Sequence, residues 1–560
     1  MLIGIDVGGT YTDGVLFNNN EVVKSLKKPT DDDNLKDTLL QVLDELLEGV
    51  NPNQIRRVVF STTLVTNLLA TGGGDRTALI LITGQGLPHD AYNICPDTYF
   101  LKGSVDFRGR VVESLDKAEV IKVLEDINKK GINRLAIVAK FSNRNDSLEK
   151  EVRQLAIKQI AQLEVAIGCE TAGKLNFPRR AVTTYYTAMT ISKWNRFVDD
   201  MQNALRERAL DAEIDILKAD GGTMPLESSR YRPCETVFSG PAASTMGAAA
   251  LTMDNLNSVV IDIGGTTTDI SLIIAGDPLY ASKGANINGK YTHINSFAVR
   301  SVALGGDSAI ALNNGELQLG PHRQGEAACF GGDQATVTDA FNYQYNLGIG
   351  AFDLSKAKLE EKASHSGIES TELASRVVAS FIEQVEQNIR EMFSEWENEP
   401  AYRVWEVINK RKFRLDQIIG IGAAANAIIP VLAEKMGVAY YLHKYSPVAN
   451  ALGACVVRPT LAFNLHVDTQ TKSFFIDLDG ISGQIKNSGN FQLQDAKDLA
   501  LHYLHRLARE KDMEQYATDA RFYREEQFNV IRGWDRVGKI FELSIQISPG
   551  FIDSYKGVKI

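Results

Sequence analysis

The 560-residue chain carries no surplus of positive charge: 60 Lys and Arg stand against 70 Asp and Glu, a formal net charge of −10. That balance argues against nucleic-acid binding, which needs cations to displace the counterions of phosphates. The five cysteines (Cys95, Cys169, Cys234, Cys329 and Cys455) are scattered, odd in number and form no Cys-x-x-Cys. Neither a disulfide framework nor a structural zinc site is indicated, and a reduced, cytoplasmic compartment fits. No apolar run approaches the ~18 residues of a membrane span, so no membrane partner is expected. The N-terminus MLIGIDVGG lacks the basic region and long apolar core of a signal peptide. Also absent are G-x-x-x-x-G-K-[ST], G-x-S-x-G and H-E-x-x-H, which excludes a P-loop, a nucleophile elbow and a zinc-hydrolase helix. What remains, 44% hydrophobic and 23% charged, is ordinary for a globular protein long enough for several domains.

Against these absences stands a repeat. Residues 3–17 read IGIDVGGTYTDGVLF and residues 259–273 read VVIDIGGTTTDISLI. Each is an apolar, strand-like run ending in Asp, then Gly-Gly-Thr, then a second run. Glycines let such a turn approach an anion and supply positive φ where needed. Backbone N–H groups and the Thr hydroxyl can bond phosphate oxygens. The Asp before the turn can hold hydrated Mg²⁺ or orient a water. Two copies imply a duplicated ATP-binding protein with the nucleotide between its halves. Thr12 and Thr268 read as the starts of the return strands, and Asp13 and Asp269 either brace the turns or touch ligand.

Three further glycine turns accompany the repeat. GIGAAANAIIP (420–430) ends a strand and opens a helix, like a dinucleotide fingerprint. That fingerprint expects an acid after the next strand; here VAYYL (438–442) leads to His443 and Lys444. The alternative is a turn at Gly420, Gly422 and Ala423 on which adenine or ribose lies flat. Gly305, Gly306 and Asp307, in VALGGDSAIAL (302–312), either contact ribose or close a strand–helix junction. The small residues Gly240–Ala250 permit close helix packing, with phosphate approach as the alternative.

Periodicity organises the remainder. Helices are expected over 35–50, 116–130, 146–162, about 186–209, 371–393 and 492–510, with buried strands at 77–83 and 134–140. DDDN (31–34) reads as a charged turn capping the first helix. The Gly, Pro and paired Arg of 173–190 suggest a boundary. The expected division is 1–185, 186–460 and a small α+β region, 461–560, within an α/β fold.

The motifs together resemble the actin-like ATPase superfamily and, within it, the hydantoinase A/oxoprolinase family. The resemblance rests on GIDVGGTYTD (4–13), STTLVTNLLATGG (61–73), RTALILITGQG (76–86), RPCETVFSGPAAS (232–244), VVIDIGGTTTDISLI (259–273) and GGDQATVTDAF (331–341). It implies two ribonuclease H-like domains with a nucleotide cleft between them. It implies ATP and Mg²⁺ as cofactors and ATP-dependent opening of a cyclic amide such as a hydantoin, 5-oxoproline or a lactam, by phosphorylation of the amide oxygen. By motif match, Asp6 would serve Mg²⁺, and Asp262 would serve Mg²⁺ or orient the nucleophile. Gly8, Gly9, Thr10 and Tyr11, with Gly264, Gly265, Thr266 and Thr267, would cradle the phosphates. The resemblance also implies a separately encoded hydantoinase B-like partner subunit and leaves a homo-oligomer open. A small-molecule kinase and a non-catalytic ATP-driven switch are the alternatives. The chain departs from the family's usual Ser-Asn-Gly-Gly, having Ala219-Asp220-Gly221-Gly222 instead.

Overall fold

The computed structural model describes residues 1–559 except 32–33, 314–315, 400–411 and 533–534. The two repeats form matching hairpins. In the first, Leu2–Val7 pairs antiparallel with Tyr11–Asn18 and parallel with Arg57–Thr62. In the second, Ser258–Ile263 pairs antiparallel with Thr268–Ile274 and parallel with Gln417–Ile421. The register is the same: Asp6 stands opposite Asp13, and Asp262 opposite Asp269. These are the two ribonuclease H-like sheets of an actin-like fold.

The first sheet runs Thr223–Pro225, Glu213–Leu217, Arg57–Thr62, Leu2–Val7, Tyr11–Asn18, Glu21–Pro29. Its inner face buries Ile3, Ile5 and Val7 against Leu39, Val42, Leu43 and Leu46 of the helix Leu35–Leu47. Asn34 occupies the N-cap of that helix without a side-chain cap bond; Asp32 and Asp33 lie outside the described residues. The boundary expected at 185 falls inside the 31-residue helix Phe177–Glu207. Pro178 sits in that helix's first turn, where its missing N–H costs nothing, so the Gly/Pro/Arg segment starts a helix rather than parting two units. The helix is a crossover: the strand Glu213–Leu217 returns to pair parallel with Arg57–Thr62. By strand pairing, the first sheet therefore reaches Pro225.

Between these strands, residues 77–167 build a separate parallel sheet, ordered Glu164–Ile167, Arg134–Ala139, Thr77–Ile82, Thr98–Phe100. The second sheet is backed by the helices Ser370–Glu397 and Ala425–Met436; Leu373, Val377, Phe381, Val385 and Ile389 are all fully buried, as the periodicity requires. The C-terminal region is a five-stranded antiparallel sheet covered by the helix Leu493–Glu510, through Ala496, Ala500, Leu504 and Leu507.

Two small-residue helices, Ser239–Thr252 and Ala449–Val456, lie between the two repeat sheets. Their core includes Val15 and Phe17 from the first sheet and Val260, Ile419 and Ile421 from the second. The packing leaves no room for side chains. A Cβ on Gly247 would stand 2.1 Å from the Ala449 carbonyl oxygen, and one on Gly4 2.1 Å from that of Ala451. The small residues of 240–250 thus serve close helix packing.

Candidate active site

Both turns close identically: the Gly8 N–H donates to the Tyr11 carbonyl at 3.0 Å, and the Gly264 N–H to that of Thr267 at 3.0 Å. Thr12 and Thr268 are fully buried and begin the return strands. The Thr268 hydroxyl donates to the Leu304 carbonyl at 2.7 Å. None of Gly8, Gly9, Gly264 and Gly265 has positive φ, contrary to one expectation for such turns. What calls for glycine at residue 265 is space. A Cβ there would lie 2.6 Å from Asp307 Oδ2 and 3.4 Å from Thr10 Cγ2. Thr10 belongs to the first turn, so the two turns face each other. Tyr11 also reaches across, donating its hydroxyl to Glu326 Oε1 at 3.5 Å. Gly9, by contrast, looks into open space.

The four aspartates of the two repeats differ in their surroundings. Asp6 is 3% exposed and its Oδ1 is buried without a hydrogen-bond partner. Burial, then the charges of Asp13 and Asp262, push its pKa up to about 7, against the pull of Ser61 and Asn450. Asp13 is pushed up to about 6 by burial, although Lys27 Nζ lies 2.6 Å from its Oδ1. Asp269 is pushed up to about 7 by burial and the charge of Asp262. Asp262 is braced differently: Ser244 Oγ donates to its Oδ2 at 2.5 Å and Asn450 Nδ2 at 3.0 Å. Ser244 and Asn450 come from the two helices between the sheets.

An orphaned, buried carboxylate oxygen amid like charges calls for a cation. Among the described residues no group of three or more His, Cys, Asp or Glu forms a metal cage. Mg²⁺ keeps most of its water and takes one or two carboxylates plus phosphate oxygens. Asp6, with Asp262 opposite, fits such an ion.

The other glycine turns sort by what they touch. Gly305–Gly306–Asp307 straps the second turn: the Gly306 N–H donates to the Gly264 carbonyl at 2.9 Å and the Asp307 N–H to that of Gly265 at 2.8 Å. A Cβ on Gly305 would stand 2.5 Å from the Gly265 oxygen. The junction-closing alternative accounts for these contacts. Gly420 lies inside the strand Gln417–Ile421, packed against Ile429 and Leu442. Gly422 has φ +87°, and a Cβ there would meet Asp262 Oδ1 and the Ile263 carbonyl oxygen at 2.6 Å each. Ala423 is exposed just before the helix Ala425–Met436. The next strand, Ala439–Tyr441, ends without the acid that the dinucleotide fingerprint requires. Sequence reasoning passed over Ser61, Lys27, Ser244 and Asn450; Ser61, Ser244 and Asn450 show only as polar residues beside apolar or small-residue runs, and Lys27 as one lysine of the polar stretch KSLKK (24–28).

The hydantoinase/oxoprolinase N-terminal region matches residues 2–160, and the hydantoinase/oxoprolinase family pattern matches residues 180–461. The chain belongs to the hydantoinase/oxoprolinase family. Caprolactamase subunit alpha of Pseudomonas jessenii is 24% identical over 386 residues, 62% of this chain and 54% of that protein. An uncharacterized protein of Methanocaldococcus jannaschii is 24% identical over 432 residues, 70% of this chain and 62% of its own length. The chain thus spans less than two thirds of these relatives. Among solved structures, nucleotide-free acetone carboxylase superposes with a TM-score of 0.72 at 17% identity, covering 99% of this chain and 88% of that one. The ATP-dependent caprolactamase of Pseudomonas jessenii gives 0.70 at 18% identity, covering 97% and 87%. These superpositions establish the shared fold. No helix among the described residues is long and apolar enough to cross a membrane.

Proposed function

We propose that the chain is the ATP-using subunit of an enzyme that opens a cyclic amide. One observation carries the reading: two identical turns face each other across an aspartate whose buried oxygen lacks a partner. Backbone N–H groups at Gly9–Tyr11 and Gly265–Thr267 would receive the phosphates from both sides. Asp6 would hold Mg²⁺ with Asp262 beside it, and Asp262, fixed by Ser244 and Asn450, is placed to orient the attacking oxygen. The Gly422 turn, next to Asp262, offers a backbone surface for the adenosine. Bound Mg–ATP supplies the phosphoryl group that activates the amide oxygen. Overall, one ATP and two waters are consumed, and ADP, inorganic phosphate and the ring-opened amino acid are released. The protein's share is positioning and charge neutralisation. Names among the relatives support the substrate class: one is a caprolactamase subunit and one fold neighbour is an ATP-dependent carboxylase of a ketone. In both, the reacting partner carries a carbonyl oxygen. Relatives named as subunits support a separately encoded partner, of the hydantoinase B kind.

The test is a product assay with ATP, Mg²⁺ and a panel of hydantoin, 5-oxoproline and simple lactams, with and without a co-expressed partner. Amide-dependent ADP formation with equimolar free phosphate and ring-opened product is expected. Phosphate retained on an acceptor would establish a kinase instead. Nucleotide-driven closure without turnover on any acceptor would establish a switch.

A further inference from the structure

The carboxyl end of the first sheet opens onto a second space, separate from the turns. It is a cavity of about 470 Å³ whose walls come from four parts of the chain. Lys218 and Asp220 follow the strand Glu213–Leu217; Thr183 and Thr187 come from the crossover helix; His293 and Asn295 come from the segment before Val299–Val302; Thr460, Asp477 and Asp479 come from the C-terminal region. Its position follows from the strand register. Ile5, Phe60 and Ile216 lie on one row, two strand spacings or about 10 Å across. Lys218 therefore emerges at the same sheet end as Asp6. The wall is also shared: Cys234 and Glu235 line the cavity, and a few residues on, Ser239 Oγ donates to the Thr62 carbonyl at 3.1 Å.

The lining is built and polar. Lys218 and Asp220 are buried, with Lys218 Nζ 3.1 Å from Asp220 Oδ2; Thr460 Oγ1 donates to the same oxygen at 2.9 Å. Arg232 is held by Glu235 at 3.2 Å and Asp479 at 2.8 Å. His293 donates from Nε2 to the Asn176 carbonyl at 3.2 Å, which leaves Nδ1 as an acceptor. Five carboxylates (Asp220, Glu227, Glu235, Asp477 and Asp479) line it against four cations (Lys174, Lys218, Arg232 and Lys511), a surplus of one negative charge. Such a space accepts a small molecule with hydrogen-bond donors and acceptors and disfavours one that brings a carboxylate. At an α/β sheet, ligands enter at the carboxyl ends of the strands.

We infer that this cavity is the acceptor site, that it takes an uncharged cyclic amide in preference to an acidic one such as 5-oxoproline, and that the C-terminal region exists in part to wall it. The inference rests on the amide-opening reading above.

The experiment titrates the full chain, saturated with Mg–ADP, with 2-piperidone, hydantoin and 5-oxoproline by calorimetry. 2-Piperidone or hydantoin is expected to bind at least tenfold more tightly than 5-oxoproline. Ser228→Trp, which fills the cavity from its lining, is expected to weaken amide binding at least tenfold with Mg–ADP affinity unchanged. Glu235→Gln, which removes one carboxylate, is expected to narrow the preference against 5-oxoproline. Preference for 5-oxoproline, or amide binding untouched by both variants, overturns the assignment, as does no amide binding at all. Amide-dependent phosphate release that neither variant alters would sink the cavity and keep the proposed function. Amide binding sensitive to both variants, with no ATP consumed, would keep the cavity and sink the function.

Discussion

The first and second turns share a motif, a register and a closing hydrogen bond, yet their aspartates live in different surroundings. Asp6 is enclosed, has one oxygen without a partner and is pushed toward neutrality even with Ser61 and Asn450 beside it. Asp262 accepts from Ser244 and Asn450 and lies against the Gly422 turn, while the Gly305–Gly306–Asp307 strap holds the adjoining Gly264 and Gly265 carbonyls. Duplication copied the loop but not its neighbourhood. A carboxylate left wanting a cation is suited to holding metal; one pinned by two donors is suited to aiming an oxygen. The glycines divide likewise: Gly9 faces open space and Gly265 faces Asp307 and Thr10.

Five variants break or sharpen that contrast, in order of expected effect. Asp262→Ala should lower ATP turnover by at least on the order of 100-fold, the scale for loss of one preorganised electrostatic group, with the circular dichroism of the wild type; near-normal turnover would remove Asp262 from the chemistry. Gly265→Val should abolish measurable nucleotide binding, because a branched side chain must displace Asp307 and Thr10; unchanged affinity in a fluorescent-nucleotide titration would clear the second turn of a phosphate role. The milder Gly265→Ala should cost about 1–3 kcal/mol of stability by overpacking.

Asp6→Asn addresses the first turn. A carboxylate whose folded pKa is raised from 3.8 to about 7 favours the folded state below pH 3.8 and loses that contribution as pH rises to 7. Asp13, at about 6, and Asp269, at about 7, act in the same sense. The metal-free chain should therefore melt lower at pH 8 than at pH 5. Asp6→Asn should shrink that difference and erase the stabilisation by Mg²⁺ at pH 8. A wild-type profile in differential scanning calorimetry would show that Asp6 does not carry it. The smallest effect belongs to Gly9→Ala, which should leave the melting temperature within the scatter of surface substitutions, roughly 0.5 kcal/mol, and weaken nucleotide binding only modestly.

Much of this was legible in the residues. The turns, their strands and the long amphipathic helices follow from local pattern: Leu373, Val377 and Phe381 recur at helical spacing, and Asp-x-Gly-Gly-Thr recurs whole. What escaped was non-local. The return of Glu213–Leu217 to the first sheet depends on pairing with a strand some 150 residues earlier, which no window of sequence displays. A proline that looks like a divider was a helix's first turn. Gly305 and Gly420 look like ligand glycines, but their neighbours are backbone and Ile429. Ser244 and Asn450 became visible as partners of Asp262 only once two distant helices crossed.

That crossing has a mechanical consequence. With Gly453 directly over the Gly247 backbone, where a Cβ would stand 2.5 Å from the amide nitrogen, the helices Ser239–Thr252 and Ala449–Val456 touch with no cushion between them. Such a joint has no side chain to yield, so a change in the angle between the sheets must be taken up by these two backbones. Ser244 and Asn450 ride on its two arms, so any swing that widens the cleft also tugs on the two donors that aim Asp262. The contact that joins the two sheets and the two donors to Asp262 are therefore carried by the same pair of helices.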